Sequence, residues 1–191
     1  MTIVELRRYT LHPGRRDELI ELFERELVEP QEEVGAQVVG TFRDVRDPDR
    51  FVWIRAFADM TVRLAALQAF YGGPVWRAHS AAANATMIDS DDVHLLEPES
   101  GEFVPTPGNE RVVAALVTPD GPALPELPAP FVQLRTSTHE NDFPALPVHA
   151  HPVRVRIASL PDAATVAALS ASWPAGVEVM ELSPTTGSRY H

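Results

Sequence analysis

Trp76, His79 and Asn84 share the stretch that follows Gly72-Gly73-Pro74, and together they could line a pocket. Gly72-Gly73 breaks a preceding helix. Pro74 suits the first turn of a new one, where its missing N–H costs nothing. From there Trp76, His79, Ser80, Ala83 and Met87 recur at helical spacing on one face. The acidic run Asp89-Ser90-Asp91-Asp92 is expected to end that helix and lead into a strand at 93–96. An imidazole so placed can serve as a general base or a haem ligand, or as a core histidine with a satisfied N–H. His79 is the candidate catalytic residue. The pair in His149-Ala150-His151 could chelate a metal, with His139 near in sequence, but its Pro-flanked setting fits a surface loop as well.

A second set of candidates lies on strands. Residues 3–11 and 51–57 alternate, so their side chains sort between two faces. Val4 and Leu6 share a side, as do Val52, Ile54 and Ala56, and these suit packing beneath helices. Glu5, Arg7 and Tyr9 go the other way, with Phe51, Trp53, Arg55 and Phe57. That mixture of rings and charges fits a barrel interior holding a polar pocket, which Gly40 and Phe42 are expected to share. In the second half the same sorting puts Val153, Val155 and Ile157 under a helix and turns Arg154 and Arg156 inward, beside Gln133 and Arg135. Up to five arginines, Arg7, Arg55, Arg135, Arg154 and Arg156, would then line one cavity. Paired with Glu5 they form an ion network. Unpaired, their guanidinium forks match carboxylates and enolates. The expected ligand-binding set is Arg7, Tyr9, Phe42, Trp53, Arg55 and Trp76.

The elements that must position these residues follow from local signals. After the first strand, Pro13-Gly14 turns the chain. Leu19, Leu22, Phe23 and Leu27 then mark an amphipathic helix over 15–28, which Glu29-Pro30 is expected to end. A strand over 36–44, a turn at Asp47-Pro48-Asp49 and a third strand come next. Asp59 is placed to cap a helix. The order strand–helix–strand–strand–helix–strand is ferredoxin-like, with the Trp76 helix as an addition. Residues 98–110, rich in proline and glycine, read as a linker. The second half, 111–191, repeats the pattern in reduced form. Four prolines between Asp120 and Pro130 forbid its first helix. The fold class is therefore α+β: two tandem ferredoxin-like halves, 1–97 and 111–191, that pack as a pseudo-dimer into one barrel. A half of this size with one exposed sheet face would be marginal alone.

Several stretches also resemble a known family. Val4-Glu5-Leu6-Arg7-Arg8-Tyr9-Thr10-Leu11-His12-Pro13-Gly14, Val38 to Asp44, Asp47 to Arg55, Phe70 to Asp91 and Glu140 to Val148 are similar to NIPSNAP proteins, which belong to the dimeric α/β-barrel group of ferredoxin-like folds. The resemblance covers nearly all of the first half and about half of the second. It implies the fold more sharply than any activity. Related barrels use their cavity in two ways: cofactor-independent monooxygenases oxidise quinol-like aromatics in it, and chlorite dismutase-like proteins bind haem through a histidine.

Composition removes other classes. The 191 residues include no cysteine, and all 16 basic residues are arginine. Thiol nucleophiles and thiolate-held clusters are excluded, and so is Schiff-base chemistry on lysine. A P-loop needs a lysine too, and no G-x-G-x-x-G follows a strand. The net charge of −11, without a basic stripe, argues against nucleic acid. No stretch has the apolar length of a membrane span and no secretory pattern opens the chain, so cytoplasmic residence is expected. No cofactor or resident metal is expected. A homodimer through outer surfaces is compatible with a barrel closed within one chain. Two readings follow: a cofactor-independent, monooxygenase-like enzyme acting on a small aromatic or polyketide-like molecule, or a non-catalytic small-molecule-binding or scaffold protein. Haem binding is a third.

Overall fold

A computed structural model describes residues 3–104, 106, 108–118, 121–124, 126–170 and 172–191. Pro105 and Pro107 of the expected linker, and Asp120 and Pro125 of the proline-rich segment, lie outside the described residues. Eight strands carry the fold: β1 (Ile3–Leu11), β2 (Gln37–Asp44), β3 (Arg50–Phe57), β4 (Met87–Ser100), β5 (Arg111–Val117), β6 (Phe131–Thr136), β7 (Arg154–Leu160) and β8 (Glu178–Pro184). They close an antiparallel barrel in the neighbour order β1-β3-β2-β8-β5-β7-β6-β4. The first four strands lie in the order β4-β1-β3-β2 and the last four in the matching order β8-β5-β7-β6. The pairings of β2 with β8 and of β4 with β6 join the two sets.

The helices follow local chemistry. The Asp59 side chain accepts a hydrogen bond from the Val62 N–H and caps α3 (Met60–Tyr71). Gly72 and Gly73 separate it from α4 (Pro74–Asn84), which has proline in its first turn. α5 (Ala163–Ser170) covers the second half, and the described part of 121–130 holds no helix. Two boundaries differ from expectation. The first helix does not stop before Pro30: α1 (Arg16–Leu22) passes through a π-helical segment (Phe23–Leu27) into α2 (Val28–Glu33). The π turn has already shifted the i→i−4 ladder where Pro30 would lack its donor. The α4 helix ends at Asn84, so Met87 and the acidic run belong to β4, which reaches Ser100 and takes in the start of the expected linker.

The two faces of the sheet are the reverse of the expectation. Val4, Leu6, Val52, Ile54 and Ala56 point into the barrel, with Val153, Val155, Ile157, Val112, Ala114 and Leu182 from the second half. The barrel is filled by these side chains. The mixed set, Tyr9, Phe51 and Trp53, lies instead between the sheet and the helices, against Leu19, Phe23, Leu27 and Phe70. Alternation determines which residues share a side; it does not determine which side is interior. An eight-stranded barrel is just wide enough for side chains to fill, so the aliphatic set occupies it. The charged and aromatic set goes beneath the helices, which supply its polar partners.

Candidate functional site

β1 and β3 run antiparallel with Glu5 opposite Arg55 and Arg7 opposite Trp53. Opposed residues share a face, so these four side chains form one block beneath the helices. Glu5 is its centre. Arg7 Nη1 donates to Glu5 Oε2 at 2.7 Å, Arg55 Nε to the same oxygen at 2.7 Å, and Arg63 Nε from α3 to Oε1 at 2.7 Å. Arg63 also pairs with Asp142 and donates to Asn141 Oδ1. Arg55 Nη1 donates to Gln31 Oε1 at 3.0 Å. Burial alone would push the Glu5 carboxyl up. Arg55, Arg7 and Arg63 outweigh it and hold the carboxyl well below the usual carboxylate range. Three guanidinium groups face two carboxylates here, so one positive charge is left over.

The surplus charge borders a cavity. A space of about 340 Å³ lies between β1, α4, the start of β4 and the segment 143–146, lined by Arg7, Tyr9, Tyr71, Trp76, Asn84, Met87, Ser90, Phe143, Ala145 and Leu146. Arg7 is 1% exposed. It uses Nε on the Tyr9 hydroxyl at 3.1 Å and Nη1 on Glu5, which leaves Nη2 for the cavity. Its guanidinium also lies 5.4 Å from the Trp53 ring centre and 5.6 Å from that of Tyr9. The Tyr9 oxygen accepts from Arg7, so its own O–H remains a donor. Burial pushes that phenol up, against the pull of Arg7, and keeps it protonated. Tyr71 and Trp76 meet edge to face at 5.0 Å, and Tyr71 stacks on Phe143 at 6.0 Å. A smaller space of about 20 Å³ shares Tyr9, Tyr71, Trp76 and Met87 with the first and reaches Trp53, whose buried Nε1 has no hydrogen-bond partner.

Arg7, Tyr9 and Trp76 of the expected set thus line the cavity, and Trp53 lines its small extension. Arg55 lies behind them, held by Glu5 and Gln31. Phe42 is on the opposite face, inside the barrel. His79 is outside the cavity: its Nε2 is 3.6 Å from Glu26 Oε2, between α4 and the π-helical segment. The α4 face that meets the cavity carries Trp76 and Asn84, while His79 meets the π-helical segment. The five arginines do not converge. Arg154 and Arg135 are exposed, Arg135 pairing with Glu97, and Arg156 lies outside the barrel over Phe131 with Gln133 as partner. The pocket is therefore not the barrel interior.

Asn84 stood beside Trp76 and His79 in sequence, but Tyr71 and the wall at Phe143 and Leu146 come from elements that only packing unites. A haem iron needs an axial ligand, and among the described residues no histidine lines this cavity. A separate group, Asp92, His94 and His149, brings candidate metal-ligand atoms within 4.8 Å of one another at one barrel mouth. Burial, with Arg8 and His149 beside it, lowers His94 to about 3. The His149 side of this cluster was visible in His149-Ala150-His151; His94 and Asp92 were not connected to it by any local signal.

A family model described as NIPSNAP matches residues 4–100. None of the curated proteins matches the sequence. Among solved structures, an uncharacterized NIPSNAP domain protein from Burkholderia xenovorans is similar over 55% of this chain and 99% of its own, at 21% identity and a TM-score of 0.47. A protein from Lactobacillus acidophilus NCFM, named as a candidate monooxygenase, is similar over 96% of this chain and 94% of its own, at 10% identity and a TM-score of 0.61. Another so named, from Fusobacterium nucleatum, is similar over 95% of this chain and 91% of its own, at 9% identity and a TM-score of 0.60. At such identities these two share the fold with nearly the whole chain, and the likeness extends no further.

Proposed function

This chain belongs to the NIPSNAP family, and we propose that its cavity binds a small aromatic or polyketide-like molecule bearing an acidic phenol, enol or carboxylate. The carrying observation is a fully buried Arg7 guanidinium at the wall of a space that the rings of Tyr9, Tyr71, Trp76 and Phe143 also line. Its Nη2, the Tyr9 O–H and the Asn84 amide are donors for one oxyanion. Tyr71, Trp76 and Phe143 are walls for a flat ring. The volume, about 340 Å³, is at the small end of ligand pockets.

Such a site supports cofactor-independent oxygenation. Donors aimed at a phenolate or enolate stabilise the electron-rich form that reacts with O₂. For a ring C–H para to a hydroxyl the balance closes without a reductant: the ring hydrogen and the phenol hydrogen are lost, one oxygen atom of O₂ becomes the new quinone carbonyl, and the other leaves with those two hydrogens as water. The second reading, a non-catalytic binder, has its own observation. Among the described residues no carboxylate or imidazole lines the cavity to take the substrate proton, and Tyr9 stays protonated.

Titration with a naphthoate and with a dihydroxynaphthalene, followed by indole fluorescence, tests binding. Saturable quenching is expected, weakened about 10-fold by Tyr9→Phe or Asn84→Ala, roughly the worth of one hydrogen bond to a charged group. Quenching that does not saturate, or that neither substitution alters, would overturn the reading. Oxygen uptake with the dihydroxynaphthalene then separates enzyme from binder.

The two matching strand orders support a finer architectural reading as well. We take 1–97 and 111–191 as tandem ferredoxin-like units, joined through 98–110, that form within one chain the barrel a dimer would otherwise form.

A further inference from the structure

We propose a binding site for a divalent cation of the Zn²⁺ class at the barrel mouth, with Asp92, His94 and His149 as ligands and His151 completing the set. The site is distinct from the aromatic cavity on the other face of the sheet. Asp92 and His94 are two apart on β4, so they share a side. They stand opposite Arg8 and Leu6 of β1, and Leu6 points into the barrel. The segment after the Phe143 wall returns along β4, where the His149 N–H donates to the Val93 carbonyl at 2.8 Å. This brings His149 Nε2 to 2.8 Å from Asp92 Oδ1. The imidazole centres of His94 and His149 are 4.7 Å apart, those of His149 and His151 4.7 Å, and those of His94 and His151 5.5 Å.

A plain hydrogen-bonded cluster accounts for Asp92 and His149, which partner each other. It does not account for His94. That residue is 2% exposed, and its Nε2 is buried with no hydrogen-bond partner. Buried polar atoms of this kind are rare and costly. His94 and His151 also border a space of about 140 Å³, with Arg8, Leu116 and Glu178 around it. A cation there would take the orphaned lone pair.

Charge favours this occupant. Arg8 stands beside Asp92, donating to its Oδ1 at 2.9 Å, and would oppose a second cation if left unbalanced. Its other arm pairs with Glu178. Two carboxylates against one guanidinium leave one negative charge for the metal. Imidazole nitrogens with one carboxylate oxygen suit Zn²⁺ and its first-row neighbours, whereas Mg²⁺ and Ca²⁺ prefer oxygen alone. Four protein ligands make a closed, structural site. Its effect would be to fasten the 147–153 segment to β4. The same run of chain carries Phe143 and Leu146, so the metal would brace one wall of the aromatic cavity.

Chelator-treated protein is titrated with Zn²⁺ against a chromophoric competitor. One equivalent is expected to bind and to raise the Tm. Outer-shell partners alone are worth about 10–100-fold in metal affinity, so His94→Gln and His149→Gln should each weaken binding by at least about 100-fold. Half-exposed His149 can be replaced without disturbing the barrel interior, so its variant serves if His94→Gln fails to fold; circular dichroism reports which has occurred. Co²⁺ in place of Zn²⁺ should give the intense visible bands of a tetrahedral site. Absence of tight binding, or Zn²⁺ affinity unchanged in His149→Gln, would overturn the proposal.

Discussion

Arg7 Nη1 lies 2.7 Å from Glu5 Oε2, two residues away on the same strand, and both side chains are fully buried. Arg55 shares that oxygen and Arg63 takes the other. One carboxylate therefore orders three guanidinium groups, and the one at the cavity wall, Arg7, is aimed by its two hydrogen bonds, to Glu5 and to Tyr9. On the binding proposed above, ligand affinity and fold stability would depend on the same residue.

Glu5→Gln should accordingly be among the most damaging single substitutions in the chain. It leaves three buried cations around a neutral amide, and breaking a buried ion pair from one side costs about 3–5 kcal/mol. Urea unfolding followed by circular dichroism should show that loss. A cost under about 1 kcal/mol would contradict the central role given to Glu5.

The same carboxylate predicts a pH dependence. Its folded value is held well below the ordinary 4.5, burial being outweighed by Arg55, Arg7 and Arg63. The unfolded chain therefore takes up the proton first as pH falls. The stabilisation is fully present above pH 4.5 and is lost progressively below it. The slope of stability against pH in that acid range should be shallower in Glu5→Gln than in the unaltered protein.

His79→Ala should leave the affinity for an aromatic anion within about 2-fold, because His79 faces Glu26 and not the cavity. The pair is solvent-screened, so the Tm should move little. A large loss of binding would return His79 to the site.

Gly40 is a packing test for the barrel. A Cβ there would lie 2.4 Å from Phe42 Cζ and 3.2 Å from Ser188 Oγ. Gly40→Ala should cost about 1–3 kcal/mol, the usual penalty of overfilling a tight core. Adding Phe42→Leu should recover part of it, since the two sites are in contact and not additive.

All eight strands of the closed barrel come from one chain. A folded monomer should therefore persist on dilution, as light scattering coupled to size exclusion would show. Unfolding on dilution, with a dimer at every folded concentration, would contradict an intrachain barrel.

Sequence alone determined the elements and the parity of their side chains. Asp59 as a cap, Gly72-Gly73-Pro74 as a break and restart, and the alternation in β1 and β3 are local signals, set by backbone geometry within a few residues. Parity put Arg7, Tyr9, Trp53 and Arg55 on one side together. Which side faces the barrel was decided only by tertiary structure, because an alternating strand is symmetric until the other sheet and the helices compete for its two faces. The aliphatic set filled the closed interior, and the charged set went where Gln31, Arg63 and Asp142 could meet it. The π segment that carries the first helix through Pro30 was likewise beyond a rule that treats proline as a stop. The walls of the cavity and the Asp92, His94 and His149 cluster join residues dozens of positions apart, and spacing along a chain holds no record of such meetings.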